Sequence, residues 1–504
     1  MMTTNRLSPE DREFLTLVSR AVFANPFSDE RAEADAQISG VPAGADAEVR
    51  LESALERVRG FLAGFEAGRR PKLNALDVRD REWVETAYLF DVFHQFIGPF
   101  DDLIQQQIRA NDESCPAPFA ADVLRLLTAR GFSHSEACRF LAVFYQMRRA
   151  YYFINRSLVG CSPCMKQLRL ALWNNVFTRD LRLYERHLWN RMEDFSTLLL
   201  GETGTGKGAA AAAIGRSGFI PFDEKRQCFS ESFMRSFITI NLSQFPEALI
   251  ESELFGHRKG AFTGAVEAHE GVFARCSPHG AIFLDEIGDA SVPVQIKLLK
   301  VLQEREFSPV GSHEKRRFHG RVIAASNRSL DELRGQGLFR DDFFYRLCSD
   351  VITVPTLRRR LSEEPAELEE MVGIAVGRIV GENSAELTAL VCRAIGQDLG
   401  RNYPWPGNVR ELEQGVRRIL LSHTYAGDRA AAAPDLRVEI ARGIEAGALS
   451  AEDLLASYCR LLYRRHGTYE EVARRTRLDR RTVKKYVAGE PDSRNNSRVS
   501  AIGR

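Results

Sequence analysis

Residues 201–208 read Gly-Glu-Thr-Gly-Thr-Gly-Lys-Gly, with the apolar run Leu198–Leu200 before them and the helix-forming run Ala209–Ala213 after. Few structures need that arrangement. Glycine allows the backbone to turn successive N–H groups toward one point, a following helix adds its N-terminal dipole, and Lys207 can reach the β- and γ-phosphates of a nucleotide. The segment therefore predicts a strand, a phosphate loop and a helix inside a parallel α/β sheet. Gly201, Glu202, Thr203, Gly204, Thr205, Gly206, Lys207 and Gly208 are the candidate ATP-binding residues. Gly208 stands where such loops carry a Ser or Thr hydroxyl for Mg²⁺, so metal ligation must rest on other groups and water.

Other apolar runs supply partners for this unit. Ala281–Leu284 leads into Asp285-Glu286, where side chains at a strand's carboxyl end face a nucleotide cleft. Asp285 can hold Mg²⁺ directly or through water, and Glu286 can polarise the attacking water. Val322–Ala325 ends in Ser326-Asn327; an amide there can sense the γ-phosphate, or simply make a turn.

The chain is 504 residues long, enough for about three domains, with 69 Lys plus Arg against 68 Asp plus Glu. A balance of +1 gives no global sign of a nucleic-acid partner, although local charges can cancel. The opening MMTTNRLSPEDREF lacks the apolar segment of a secretory signal, and no stretch approaches the roughly 18 apolar residues of a membrane span, so a cytoplasmic protein is expected. Nine cysteines without the spacing of a disulfide framework fit a reducing compartment. From Leu7 to about Leu158 the pattern is mostly helical. Phe140, Phe144, Met147, Tyr151 and Ile154 form one helical stripe, read first as core, with a small-molecule pocket or dimer surface as the alternative. No strand-rich pattern with acidic strand ends appears there, so no aspartyl-phosphate switch is predicted.

Between the phosphate loop and the acidic strand lies Glu253-Leu254-Phe255-Gly256-His257-Arg258-Lys259-Gly260-Ala261-Phe262-Thr263-Gly264-Ala265. This resembles the signature loop of the bacterial enhancer-binding proteins, AAA+ ATPases of the NtrC-like type that activate sigma-54 RNA polymerase. Gly260–Ala265 matches that family's GAFTGA motif letter for letter, and the resemblance runs from about Val159 to Leu421. Val159–Met165 is similar to the Gly-x-Ser-x-x-Met segment that opens the family's ATPase domain. The same segment contains Cys161 and Cys164, whose spacing alone also suits a zinc or redox site.

The resemblance implies site roles. Lys207 would bind the phosphates, Asp285 the Mg²⁺, and Glu286 would activate water. Asn241, after the run Phe237–Ile240, would hold the catalytic glutamate; Asn327 would be sensor I. Phe339–Leu347 is similar to the arginine-finger helix, placing Arg340 and Arg346 toward a neighbouring subunit's nucleotide, which implies a homo-oligomeric ring, expected to be a hexamer. Trp405-Pro406-Gly407-Asn408-Val409-Arg410-Glu411-Leu412 resembles the lid motif, with Arg410 as sensor II. Gly260, Ala261, Phe262, Thr263, Gly264 and Ala265 would contact sigma-54. The family usually has an acidic residue where Gly208 stands and a glycine where His279 stands, and about Leu172–Met192 is read as an inserted helix.

Cys459–Tyr486 carries ten Lys/Arg against three Asp/Glu. Thr468-Tyr469-Glu470-Glu471 is predicted to form a capping box, with Val472 and Ala473 inward; Asp479 is predicted to cap a second, basic helix. The segment is similar to a Fis-type helix-turn-helix, with Arg480, Arg481, Thr482, Lys484 and Lys485 toward double-stranded DNA.

The expected organisation is a mostly helical regulatory domain over residues 1–157, an AAA+ α/β subdomain over 158–362, a helical lid over 363–424, a linker over 425–450, a helix-turn-helix over 451–490 and a disordered tail over 491–504. The leading reading is a sigma-54-dependent activator that binds upstream DNA and remodels the polymerase closed complex with ATP, under an unknown signal at the N-terminal domain. The alternatives are a DNA-binding repressor or assembly factor with a weak ATPase, and an AAA+ remodeller of another protein.

Overall fold

A computed structural model describes residues 7–42, 44–67, 76–400, 403–427 and, beyond these, 440–488 except 442, 445, 446 and 448. The chain divides into two compact units, Met1–Tyr425 and Ala426–Arg504.

The first unit is built on a parallel five-stranded sheet: β1 Thr197–Leu200, β2 Phe237–Asn241, β3 Ala281–Asp285, β4 Arg321–Ser326 and β5 Asp350–Thr353, in the order β2-β3-β4-β1-β5. β1 lies between β4 and β5, so the phosphate loop leaves from inside the sheet. Four strands match the apolar runs. β5 escaped notice because Asp350, Val351 and Thr353 are exposed and only Ile352 is buried.

Alternation along each strand sends successive side chains to opposite faces. Leu199, Phe283, Ile323, Ala325 and Ile352 join one core, whereas Leu198, Ile240, Ile282, Leu284 and Val322 join another. The second core draws on residues 198–347 alone; the first is continuous with the N-terminal helices.

Those helices are Pro9–Phe23, Asp29–Ser39, Ala47–Glu66, Val78–Gln95, Ile97–Ala110, Ala120–Ala129 and His134–Ser157. Ser8, Ser28, Asp46, Asp77 and Ser133 start five of them by accepting a hydrogen bond from a first-turn N–H. The last helix has a complete capping box: Ser133 Oγ accepts from the Glu136 N–H, and the Glu136 carboxylate from the Ser133 N–H. Its predicted stripe faces inward, with Phe140, Phe144 and Ile154 buried and Met147 and Tyr151 packed at the margin.

Residues off that stripe hold the helix to the sheet-bearing part of the unit. Tyr145 stacks on Phe229 at 3.9 Å. Gln146 Nε2 donates to Ser217 O, and the fully buried Arg149 guanidinium donates to Arg216 O and Gly218 O at 2.7 and 2.6 Å. These carbonyls close the C-terminal end of the helix Lys207–Gly215 that follows the phosphate loop, an end that leaves carbonyls without intrahelical partners and favours a cation. Burial lowers the Arg149 pKa to about 10. The stretch read as an insertion is the end of the helix Pro163–Phe177, then the turns Leu181–Leu183 and Tyr184–Leu188; the Tyr184 hydroxyl, fully buried, donates to Gln146 Oε1 at 2.7 Å.

Four further helices, Leu357–Glu363, Glu367–Val380, Ala385–Asp398 and Asn408–Ser422, gather a core around Val372, Val391, Trp405 and Val416. The second unit contains the helices Ala451–His466, Tyr469–Thr476 and Arg480–Ala488 around Cys459, Leu462, Val472 and Val483. The expected capping box at Thr468 is absent: the Thr468 side chain makes no cap hydrogen bond, and Glu471 is turned forward onto Arg474 and Arg475. Asp479 does cap the last helix, accepting from the Arg481 N–H at 2.7 Å. Most of the predicted linker, and the predicted tail, lie outside the described residues.

Candidate nucleotide site

The phosphate loop turns at Gly204 and Gly206, with φ of +80° and +103°, and opens the helix Lys207–Gly215. Lys207 is buried, and its Nζ donates to Gly201 O and Glu202 O at 2.8 and 3.2 Å. Burial holds its pKa below the usual lysine value, opposed by the charges of Glu286 and Asp285.

β3 delivers both acidic residues to the same cavity, of about 640 Å³, which is also lined by Asn241, Asn327 and Arg410. Glu286 adopts a left-handed backbone, φ +55°, a conformation that costs a non-glycine residue energy and recurs at functional sites. Its carboxylate accepts from the Asn327 N–H at 3.2 Å, and burial raises its pKa above the ordinary glutamate value. Asn327 Nδ2 also donates to Thr203 Oγ1 at 3.0 Å, joining the end of β4 to the phosphate loop. Asn241 Nδ2 donates to Asp285 Oδ2 at 3.3 Å, so its partner is the metal-binding candidate and not Glu286. Two carboxylates and open space suit Mg²⁺, which takes few protein ligands and keeps several waters. A Cβ at Gly208 would meet nothing within 4 Å.

The lid is fastened to this loop by contacts that no motif announced. Asn408, buried with φ +52°, donates to Thr203 O at 3.1 Å and to Glu202 Oε2 at 3.2 Å, and accepts from the Leu357 N–H at 2.8 Å. The Val409 N–H donates to Gly204 O at 3.0 Å. A Cβ on Gly204 would lie 2.2 Å from Gly407 O, so only glycine lets the lid come this close. Arg358 forms a two-pronged pair with Glu202, which holds that carboxyl's pKa down. Deeper in, Glu367 pairs with Arg360 at 2.9 Å and accepts from the Ser162 N–H and hydroxyl at 3.0 and 2.9 Å. A Cβ on Gly160 would overlap Glu367, which gives both small residues of the Gly-x-Ser segment a structural reason. Next to them Cys161 is exposed and Cys164 buried.

Gly260–Ala265 forms a tight excursion closed by the Gly260 N–H on Ala265 O at 2.8 Å, with φ of +80° at Gly260 and +103° at Gly264. Phe262, 37 % exposed, rests edge-on against His257, and Thr263 is exposed. Arg340 and Arg346 do not line the cavity of their own chain: Arg340 pairs with Asp342 at 2.7 Å, and Arg346 Nε donates to Leu302 O at 3.0 Å. In the second unit Arg480, Arg481, Lys484 and Lys485 are exposed and Thr482 is half-buried; Arg480 pairs with Glu470.

A phosphate loop, an acidic pair at the neighbouring strand end, a sensor amide and a helical lid arginine around one cavity define an AAA+ ATPase module. Residues 181–353 match the family model described as the Sigma-54 interaction domain. The chain is 37 % identical over 275 residues to the Nif-specific regulatory protein of Azotobacter vinelandii, covering 54 % of this chain and 45 % of that one. It is 38 % identical over 262 residues to the DNA-binding transcriptional regulator NtrC of Azospirillum brasilense, covering 52 % and 47 %. To the transcriptional regulatory protein ZraR of Salmonella typhimurium it is 35 % identical over 310 residues, covering 59 % and 65 %. The matches thus span about half the length of the first two relatives. Residues 181–353 thus carry a Sigma-54 interaction domain, and the central part of the chain is similar to these transcriptional regulators. No described helix is long and apolar enough to cross a membrane.

Proposed function

We propose that this chain is a sigma-54-dependent transcriptional activator that hydrolyses ATP in a homo-oligomeric ring, a hexamer by family resemblance. The carrying observation is that Lys207, Asp285, Glu286, Asn327 and Arg410 line one cavity, the first four within the residues that match a Sigma-54 interaction domain.

The N–H groups of the phosphate loop and Lys207 hold the β- and γ-phosphates, with phosphate oxygens replacing the two carbonyls that Lys207 now contacts. Asp285, with water, would hold Mg²⁺, which neutralises charge on the phosphates. Glu286 takes a proton from the water whose oxygen attacks the γ-phosphorus as the bond to the β–γ bridging oxygen breaks. Asn327, bonded to both Glu286 and Thr203, couples the presence of the γ-phosphate to the orientation of the base. Arg410 passes the same information to the lid. Arg340 and Arg346 serve a neighbouring subunit, since neither faces its own cavity. Phe262 and Thr263 engage sigma-54, and the helix Arg480–Ala488 binds upstream double-stranded DNA through Arg480, Arg481, Thr482, Lys484 and Lys485. The N-terminal helices gate this cycle through their hold on the end of the Lys207–Gly215 helix.

Gly208 favours one other reading, a DNA-binding repressor or assembly factor with a weak ATPase, because it offers Mg²⁺ no ligand. ATP turnover by the purified full chain, with and without DNA, separates the two. Turnover lost in Glu286→Gln, together with nucleotide-dependent sigma-54 binding lost in Thr263→Ala, is the activator's result; no turnover under any condition, and no effect of Glu286→Gln, sinks it.

A further inference from the structure

His134 and Cys138 stand one turn apart at the start of the helix His134–Ser157, a spacing that puts both side chains on one face. Opposite them is Glu224, in the turn between the paired strands Phe222–Asp223 and Cys228–Phe229 of the ATPase subdomain. His134 Nε2 lies 3.0 and 2.8 Å from the two Glu224 oxygens. Cys138 Sγ lies 3.3 Å from Glu224 Oε1 and 3.8 Å from His134 Nε2. Among the described residues, this is the group in which three such ligand atoms converge within 4.8 Å.

We propose that His134, Cys138 and Glu224 form a Zn²⁺ site that clamps the N-terminal helices to the ATPase subdomain. Tetrahedral Zn²⁺, with bonds of about 2.0–2.3 Å, keeps its ligands roughly 3.3–3.8 Å apart. Two of the three spacings fall in that range, and the His134–Glu224 spacing reaches it by opening about half an ångström as the metal replaces the shared proton. A thiolate and a carboxylate cancel the divalent charge, the imidazole is neutral, and water completes the fourth position, a mixed S, N and O set that favours Zn²⁺ over the oxygen-seeking Mg²⁺ and Ca²⁺.

Both sides of the site are held before any metal arrives. The Ser133–Glu136 capping box fixes the first turn of the helix, and Tyr145, two turns on, stacks on Phe229 of the hairpin. On the other side, Asp223 Oδ1 accepts from the Lys225 and Arg226 N–H groups at 3.0 and 3.2 Å, and Gln227 Nε2 donates to Glu224 O at 2.7 Å, shaping the turn. Cys138 also borders a cavity of about 560 Å³ between this helix and the ATPase, which leaves an entry path. The clamp stands on this geometry alone, whether or not the chain activates transcription.

The test is Zn²⁺ titration of the full chain against a chromogenic chelator, followed by Co²⁺ substitution, in which a thiolate ligand gives an intense near-ultraviolet charge-transfer band. One Zn²⁺ per chain is expected. Affinity should fall at least about 10-fold in His134→Ala, Cys138→Ser and Glu224→Gln, the cobalt band should vanish in Cys138→Ser, and both should survive Cys161→Ser/Cys164→Ser. His134 and Glu224 are exposed and Cys138 is half-buried, and unchanged circular dichroism identifies the variants as folded. The site is refuted if the chain competes for no Zn²⁺, if the single-ligand variants bind as the parent does, or if only the Cys161/Cys164 variant loses the metal.

Discussion

One sheet serves two masters in this chain. The face bearing Ile282, Leu284 and Val322 is covered by the ATPase's own helices, whereas the face bearing Leu199, Phe283 and Ile323 runs into a core that begins at Leu7. A domain merely tethered to the ATPase could be removed without exposing that core. This one supplies part of the wall behind the phosphate-loop helix, and the buried Arg149 finishes that helix's C-terminal end. The difference teaches that the N-terminal helices can influence the nucleotide site through packing, and the last of them ends at Ser157, on the wall of the nucleotide cavity itself.

The largest expected effect belongs to neither face. Glu286→Gln should lower ATP turnover by about 10²–10⁴-fold and leave the denaturation midpoint unchanged, because the side chain acts at a strand end and outside both cores. The parent's turnover should also fall as pH drops through the raised Glu286 pKa, with its acid limb above that of an ordinary glutamate; a limb at the ordinary value would show that the base is elsewhere. Next, Tyr145→Ala in the shared core and Phe273→Ala in the other should each cost about 3–5 kcal/mol in denaturant titrations of the full chain. A cost for Tyr145→Ala well under that of Phe273→Ala would reduce the N-terminal helices to a loosely attached layer. Gln146→Leu removes the donor to Ser217 O and the acceptor for Tyr184, and should cost about 1–3 kcal/mol. The smallest effect is a gain: Gly208→Thr adds a hydroxyl where a Cβ has open space, in the cavity the acidic pair also lines, and should lower the Mg²⁺ needed for half-maximal turnover by about 5-fold, the worth of roughly 1 kcal/mol. Stability should not change with it.

The nucleotide-binding edge was legible because its chemistry is written in contiguous letters. The loop 201–208, Asp285-Glu286, Asn327 and Arg410 each sit in a recognisable local pattern, and the fold brings residues 203–208 of the loop and the other four to one cavity. What joins distant segments left no such mark. Arg149 reads as one more charge on a long helix, Asn408 as a letter in a motif known for its arginine, and the buried Arg360–Glu367 pair as two solvated residues. Period-based reading finds faces, not the partners that meet across them. The capping box failed at Thr468 and was overlooked at Ser133, since the pattern alone does not say whether neighbouring arginines will claim the glutamate, as Arg474 and Arg475 do.

At Gly204 the lid and the phosphate loop meet backbone to backbone, with no side chain between them to bend. That makes the contact a fulcrum. A side chain there would hold the lid off the loop, so glycine sets how closely the two can turn against each other. The smallest residue in the chain is what makes that linkage stiff.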